Sequence, residues 1–132
     1  MTTALSTTAS TDSLLRLAMR ADAVLSGLAG IALMAAAGPL SEFTGFSKAA
    51  EFGTGVVFVM YAIVVFAAAG LQRVRTAGIA TAIANIVFTV AAVVAVLALD
   101  VTTAGVVVTL ASGVYTLVFA DLQYLGVRRI KA

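Results

Sequence analysis

AGIATAIANIVFTVAAVVAVLAL, residues 77–99, is a run of 23 positions without one charged side chain. A helix needs about 20 predominantly apolar residues to cross about 30 Å of hydrocarbon, so this run reads as a membrane span. Inside it Thr81, Asn85 and Thr89 recur every four residues, and Gly78 joins them. Positions four apart share one helix face, so a small, polar stripe runs along an otherwise apolar helix. Asn85 lies about 12 Å in from the start of the run at about 1.5 Å per residue.

Working outward, Gln72–Thr76 is a short basic turn containing Arg73 and Arg75, and residues 53–71 form the preceding span. Asp100–Thr103 is a tight connection in which Thr102 or Thr103 can cap the next helix. That helix is the span over about 104–125. The earliest span covers about 20–40, led in by Leu14–Met19 and ended by Pro39 after Gly38. Ser41–Glu51 is the one longer loop, with Phe43 and Phe46 expected at the membrane interface. Residues 1–13, rich in Thr, Ser and Ala, carry no apolar period and read as a disordered tail. Residues 14–132 then make a single domain: an all-α, membrane-embedded four-helix bundle running up-down-up-down.

Composition agrees. The chain has 132 residues, enough for one domain; 62% are hydrophobic and 11% charged, against about 45–50% and about 25% in soluble domains. So much apolar surface needs lipid around it. With no cysteine and no histidine, disulfides, thiolate metal sites, iron–sulfur clusters and the usual axial ligand of a membrane haem are excluded. No cofactor or metal site is expected. The net charge of +2 does not point to nucleic acid, because the basic residues sit at span borders.

Those borders set an orientation. Arg16 and Arg20 precede the first span, Arg73 and Arg75 lie in the second connection, and Arg128, Arg129 and Lys131 follow the last span. Only Lys48 lies on the other side. The excess of Lys and Arg on cytoplasmic loops therefore puts both termini in the cytoplasm. A competing reading takes the first span as a signal peptide cleaved at Ala35-Ala36-Ala37, which would leave three spans.

Two groups of polar residues are candidate sites. One is a seam in which Thr81, Asn85 and Thr89 of the third span face Thr109, Ser112 and Thr116 of the fourth, with Gln123 further along. Its plain role is helix packing, and its sharper role a ligand or ion site. The other is a cluster of charges at the cytoplasmic border: Arg20, Asp22, Arg73 and Asp121. Ion pairing explains it, and a proton or cation site is the alternative.

Arg20-x-Asp22 entering the first span, Ala37-Gly38-Pro39-Leu40 leaving it, Tyr61-Ala62, Asn85, Thr103-x-Gly105, and the ending Phe119-Ala120-x-Leu122-Gln123-x-x-Gly126-x-Arg128-Arg129 form a pattern. It resembles small four-span integral membrane proteins common in actinobacteria, distantly similar to DoxX-like proteins. Phe88 stands where such relatives often carry Trp after the span-three Asn. The resemblance implies a four-helix fold in a bacterial inner membrane and brings no activity with it.

Three functions compete. The first is a non-enzymatic accessory or structural component whose partners are the bilayer, other membrane proteins or further copies of itself. The second is a small transporter or lipid- or small-molecule-binding protein acting as an oligomer. An enzyme is not expected, since no nucleophile–base pair is in sight.

Overall fold

The computed structural model describes residues 2–130, with side chains from residue 11 onward; Lys131, counted above for orientation, lies outside the described residues. The chain is all-helical. Helix α1 spans Thr2–Ala35, α2 Ala37–Thr44, α3 Lys48–Ala68, α4 Arg75–Ala98 and α5 Thr103–Arg129. The four long helices, α1 over its Thr11–Ala35 part, are long and apolar enough to cross a membrane.

Helix α1 begins at Thr2, so it runs through the stretch expected as a tail. Residues 2–21 contain neither Gly nor Pro, and nothing there breaks a helix. A second difference is α2, which occupies part of the expected loop. Pro39 is its third residue and sits in the first turn, where its missing N–H leaves no intrahelical bond unmade. Gly45 then ends α2 in the left-handed region at φ 83°. A side chain there would also press on Thr102 N, 2.9 Å from the Cβ position.

Contacts show how the helices run. Early α1 reaches late α3: Arg16 Nη1 donates to the carbonyls of Ala69 (2.7 Å) and Leu71 (2.6 Å), and Nη2 to that of Gln72 (3.2 Å). The guanidinium thus caps orphan carbonyls at the end of α3, while Asp12 accepts from Nη2 at 2.8 Å. Late α1 meets early α3, where Gly30 and Gly55 press backbone to backbone; a Cβ on Gly55 would lie 2.6 Å from Gly30 O. The two helices are therefore antiparallel and very close. Leu15, fully buried, fills a notch made by Gly78 of α4 and Gly126 of α5.

At the opposite end Thr102 ties two connections together. Its N–H donates to Thr44 O (3.0 Å), its hydroxyl donates to Phe43 O (2.6 Å), and the same hydroxyl caps α5 by accepting from Gly105 N at 3.0 Å. Close by, Thr44 Oγ1 bonds the buried Glu51 carboxylate in the first turn of α3.

Packing is uneven. Helix α1 lies along α3 and α5, and α5 lies along α4, whereas α3 and α4 scarcely touch although they are consecutive. Most side chains outside these seams, such as Ile63, Val64, Val87, Val90, Leu97 and Val107, are apolar and exposed. That is the surface a bilayer would cover.

Candidate functional site

Helix α1 turns Leu15, Met19, Asp22 and Ser26 inward, at steps of four, three and four residues. Asp22 is 0% exposed. It lies six residues past Arg16, so about 9 Å deeper at about 1.5 Å per residue. Every long helix brings it hydrogen-bond donors. Oδ2 accepts from Tyr61 Oη of α3 (2.6 Å), Asn85 Nδ2 of α4 (2.8 Å) and Gln123 Nε2 of α5 (2.9 Å). Oδ1 accepts from Tyr115 Oη of α5 and from Ser26 Oγ on its own helix, both at 3.1 Å. Asn85 Nδ2 also lies 2.9 Å from Gln123 Oε1 and 3.1 Å from Tyr61 Oη.

Five donors saturate a group whose two oxygens offer about four lone-pair directions when ionised. No lysine or arginine joins them; the one ion pair among the described residues is Arg16–Asp12. A charge inside an apolar bundle is costly. Here hydrogen bonds alone offset that cost.

The border cluster expected from the sequence is therefore corrected. Arg20, Arg73 and Asp121 are exposed, and no ion pair links them to Asp22 or to one another. Asp22 turns instead into the bundle, eleven residues past the start of the Thr11–Ala35 stretch that is long and apolar enough to cross a membrane. Arg20 and Asp22 are two residues apart, and such positions do not share a helix face.

The seam residues separate into two groups. Thr89 and Thr116 hydroxyls are 2.6 Å apart across α4 and α5, and Thr89 lies 3.1 Å from Gly113 O. Asn85 joins the Asp22 network. Thr81 is buried and bonds its own helix at Ala77 O (2.7 Å). Thr109 and Ser112 sit beside the seam and face a cavity instead, with Ser112 donating to Val108 O at 2.9 Å. A small residue explains the shift: Gly113 of α5 lies against Ala92 and Thr89 of α4, since a helix approaches its neighbour where side chains are shortest.

Where α3 and α4 diverge, a cleft of about 660 Å³ opens between them. Alanines 29, 84, 91 and 111 and the rings of Phe58 and Phe88 form much of its wall. Ser26, Tyr61, Asn85 and Tyr115, the residues around Asp22, provide its polar floor, with Ser112 and Thr116 beside them. Asp22 stays behind this layer. Phe58 and Phe88, 5.3 Å between ring centroids, bridge α3 and α4 and separate the cleft from a smaller cavity of about 310 Å³ that reaches Thr44 and Glu51. Among the described residues there is no cluster of three or more side chains able to hold a metal ion.

Fold and site together define a multi-pass membrane protein with a hydrogen-bonded carboxylate at its centre and a cleft beside it. No family model, curated protein or solved structure matches the chain.

Proposed function

We propose that this is a non-enzymatic membrane protein that takes up a small, largely apolar molecule between α3 and α4. The cleft carries this reading. Ligand sites are concave, mostly apolar, about 300–1,000 Å³ in volume and furnished with a few convergent polar groups. The space of about 660 Å³ over Ser26, Tyr61, Asn85 and Tyr115 has each of those properties. The weak contact between α3 and α4 leaves a side opening through which a lipid-soluble molecule can pass. An accessory role with other membrane proteins, or with further copies of the chain, rests only on the apolar outer faces that any membrane protein has.

The arginine-rich end, with both termini, belongs in the cytoplasm by the positive-inside rule. The resemblance to small four-span actinobacterial proteins, distantly DoxX-like, suggests a bacterial inner membrane.

The test is extraction into lipid nanodiscs followed by native mass spectrometry. Wild-type protein should retain a small molecule at stoichiometric level. Ala91→Phe, which fills the cleft beside Phe58 and Phe88, should lose it while melting at the wild-type temperature. Equal retention by both proteins, or none by the wild type, would refute the reading.

A further inference from the structure

The polar hydrogens on the floor of the cleft are all engaged within the protein. Ser26, Tyr61 and Tyr115 each have one hydroxyl hydrogen, and each donates it to Asp22. Ser112 donates to Val108 O. Thr116 has Gly113 O at 2.9 Å and the Thr89 hydroxyl at 2.6 Å. The Asn85 amide hydrogens go to Asp22 and to Gln123 and Tyr61. These six are the polar residues lining the cleft. With their donors engaged, they have lone pairs left to offer: a hydroxyl keeps acceptor capacity after donating, and an amide keeps its carbonyl oxygen. Asn85 Oδ1 accepts no hydrogen bond from the described residues, yet it is not sealed off as a buried, unsatisfied atom.

One buried carboxylate thus sets the polarity of the Ser26, Tyr61, Asn85 and Tyr115 part of this surface. Asp22 has only acceptors to offer, so its neighbours turn their hydrogens toward it and their oxygens toward the cleft. Among the described residues no cationic side chain pairs with its negative charge.

We propose that the cleft selects lipophilic ammonium compounds, an apolar body carrying a protonated amine that donates its hydrogens among the Ser26, Tyr61, Asn85 and Tyr115 oxygens, at most three at once, and balances the charge of Asp22. This rests on the cleft being a binding site and adds the chemical class of its ligand. A carboxylate or other acceptor-only group meets oxygens and a like charge there, and is rejected. A neutral alcohol is intermediate, with one donor and no charge.

Three probes sharing one body make the comparison: 1-naphthylmethylamine, 1-naphthalenemethanol and 1-naphthoate. The chain contains no Trp, so naphthyl fluorescence can be read without an indole background. Binding is measured in zwitterionic nanodiscs at neutral pH, with empty discs subtracted. The amine is expected to bind at least tenfold more tightly than the alcohol, and naphthoate not at all. Asp22→Asn should abolish the preference. Its amide nitrogen can face Ser26 and Tyr115, whose hydroxyls turn round to accept, while its oxygen keeps the three donors now on Oδ2. The freed hydroxyl hydrogens then enter the cleft, and naphthoate binding should appear. Ser26→Ala, which removes one outward acceptor and leaves the Tyr61, Asn85, Tyr115 and Gln123 bonds to Asp22 in place, should weaken the amine several-fold and serves if Asp22→Asn does not fold. Equal binding of amine and alcohol, or tighter binding of naphthoate, by the wild type would overturn the ammonium assignment and leave the cleft as a site. Signal from all three probes that Ala91→Phe leaves unchanged would place them outside the cleft and overturn both.

Discussion

Replacing Asp22 by Leu should be the most destabilising single change in the hydrogen-bonded network behind the cleft. The carboxylate accepts four bonds from other helices, through Tyr61, Asn85, Tyr115 and Gln123. Interhelical hydrogen bonds in membranes contribute on average about 0.6 and at most about 1.7 kcal/mol. Four of them put the loss between about 2 and 7 kcal/mol. Removing a buried charge recovers part of its desolvation cost, which favours the lower half of that range. Leucine has the same number and branching of side-chain heavy atoms and is larger, so it leaves no void and the loss does not report a cavity. Asp22→Asn should cost much less, about 1 kcal/mol, on the scale of one or two weakened interhelical bonds, because Ser26 and Tyr115 hydroxyls can reverse while Oδ2 keeps its partners. The assay is reversible unfolding in mixed micelles, comparing wild type, Asp22→Leu, Asp22→Asn and Ser26→Ala. If Asp22→Leu lies within 0.5 kcal/mol of wild type (roughly one average interhelical bond), the carboxylate does not hold the helices together and the account of the network fails.

Two more predictions follow from other parts of the fold. Gly126→Val should destabilise by about 1–3 kcal/mol, the usual cost of overpacking, since even a Cβ there would lie 2.7 Å from the Leu15 backbone; Gly53→Val, which meets nothing within 4 Å, is the control in the same unfolding assay. The absence of native cysteine allows the orientation to be read by single-cysteine labelling in intact cells: Lys48→Cys should react with an impermeant maleimide and Arg75→Cys should not, and the reverse pattern would invert the topology.

The long helices are legible in the sequence because hydrophobic runs longer than a soluble core needs have one economical use. Asn85 stands out for the same reason, as an amide in the middle of such a run. Asp22 is harder to place. Its neighbours Arg16 and Arg20 suggest a membrane border, and only the inward step of Leu15, Met19, Asp22 and Ser26 reveals that it turns toward the bundle. Tyr61 and Gln123 are visible as polar groups on apolar helices, but no local signal marks Asp22 as their partner. On α5 the polar residues Thr109 and Ser112 attract attention, while Gly113 marks the contact with α4, because proximity is decided by the smallest side chains. The cleft could not be read locally at all: it arises from the divergence of α3 and α4, a property of how four helices pack.

The cleft is tested most directly by a nitroxide on Ala84→Cys, a cleft-lining position in a chain otherwise free of cysteine. Its collision rates with oxygen and with a water-soluble nickel chelate report what fills the space. The account predicts a label relaxed by oxygen, shielded from nickel, and immobilised on addition of 1-naphthylmethylamine. A label already immobile and unaffected by the amine, or one relaxed mainly by nickel, would show that no lipid-accessible binding cleft lies between α3 and α4.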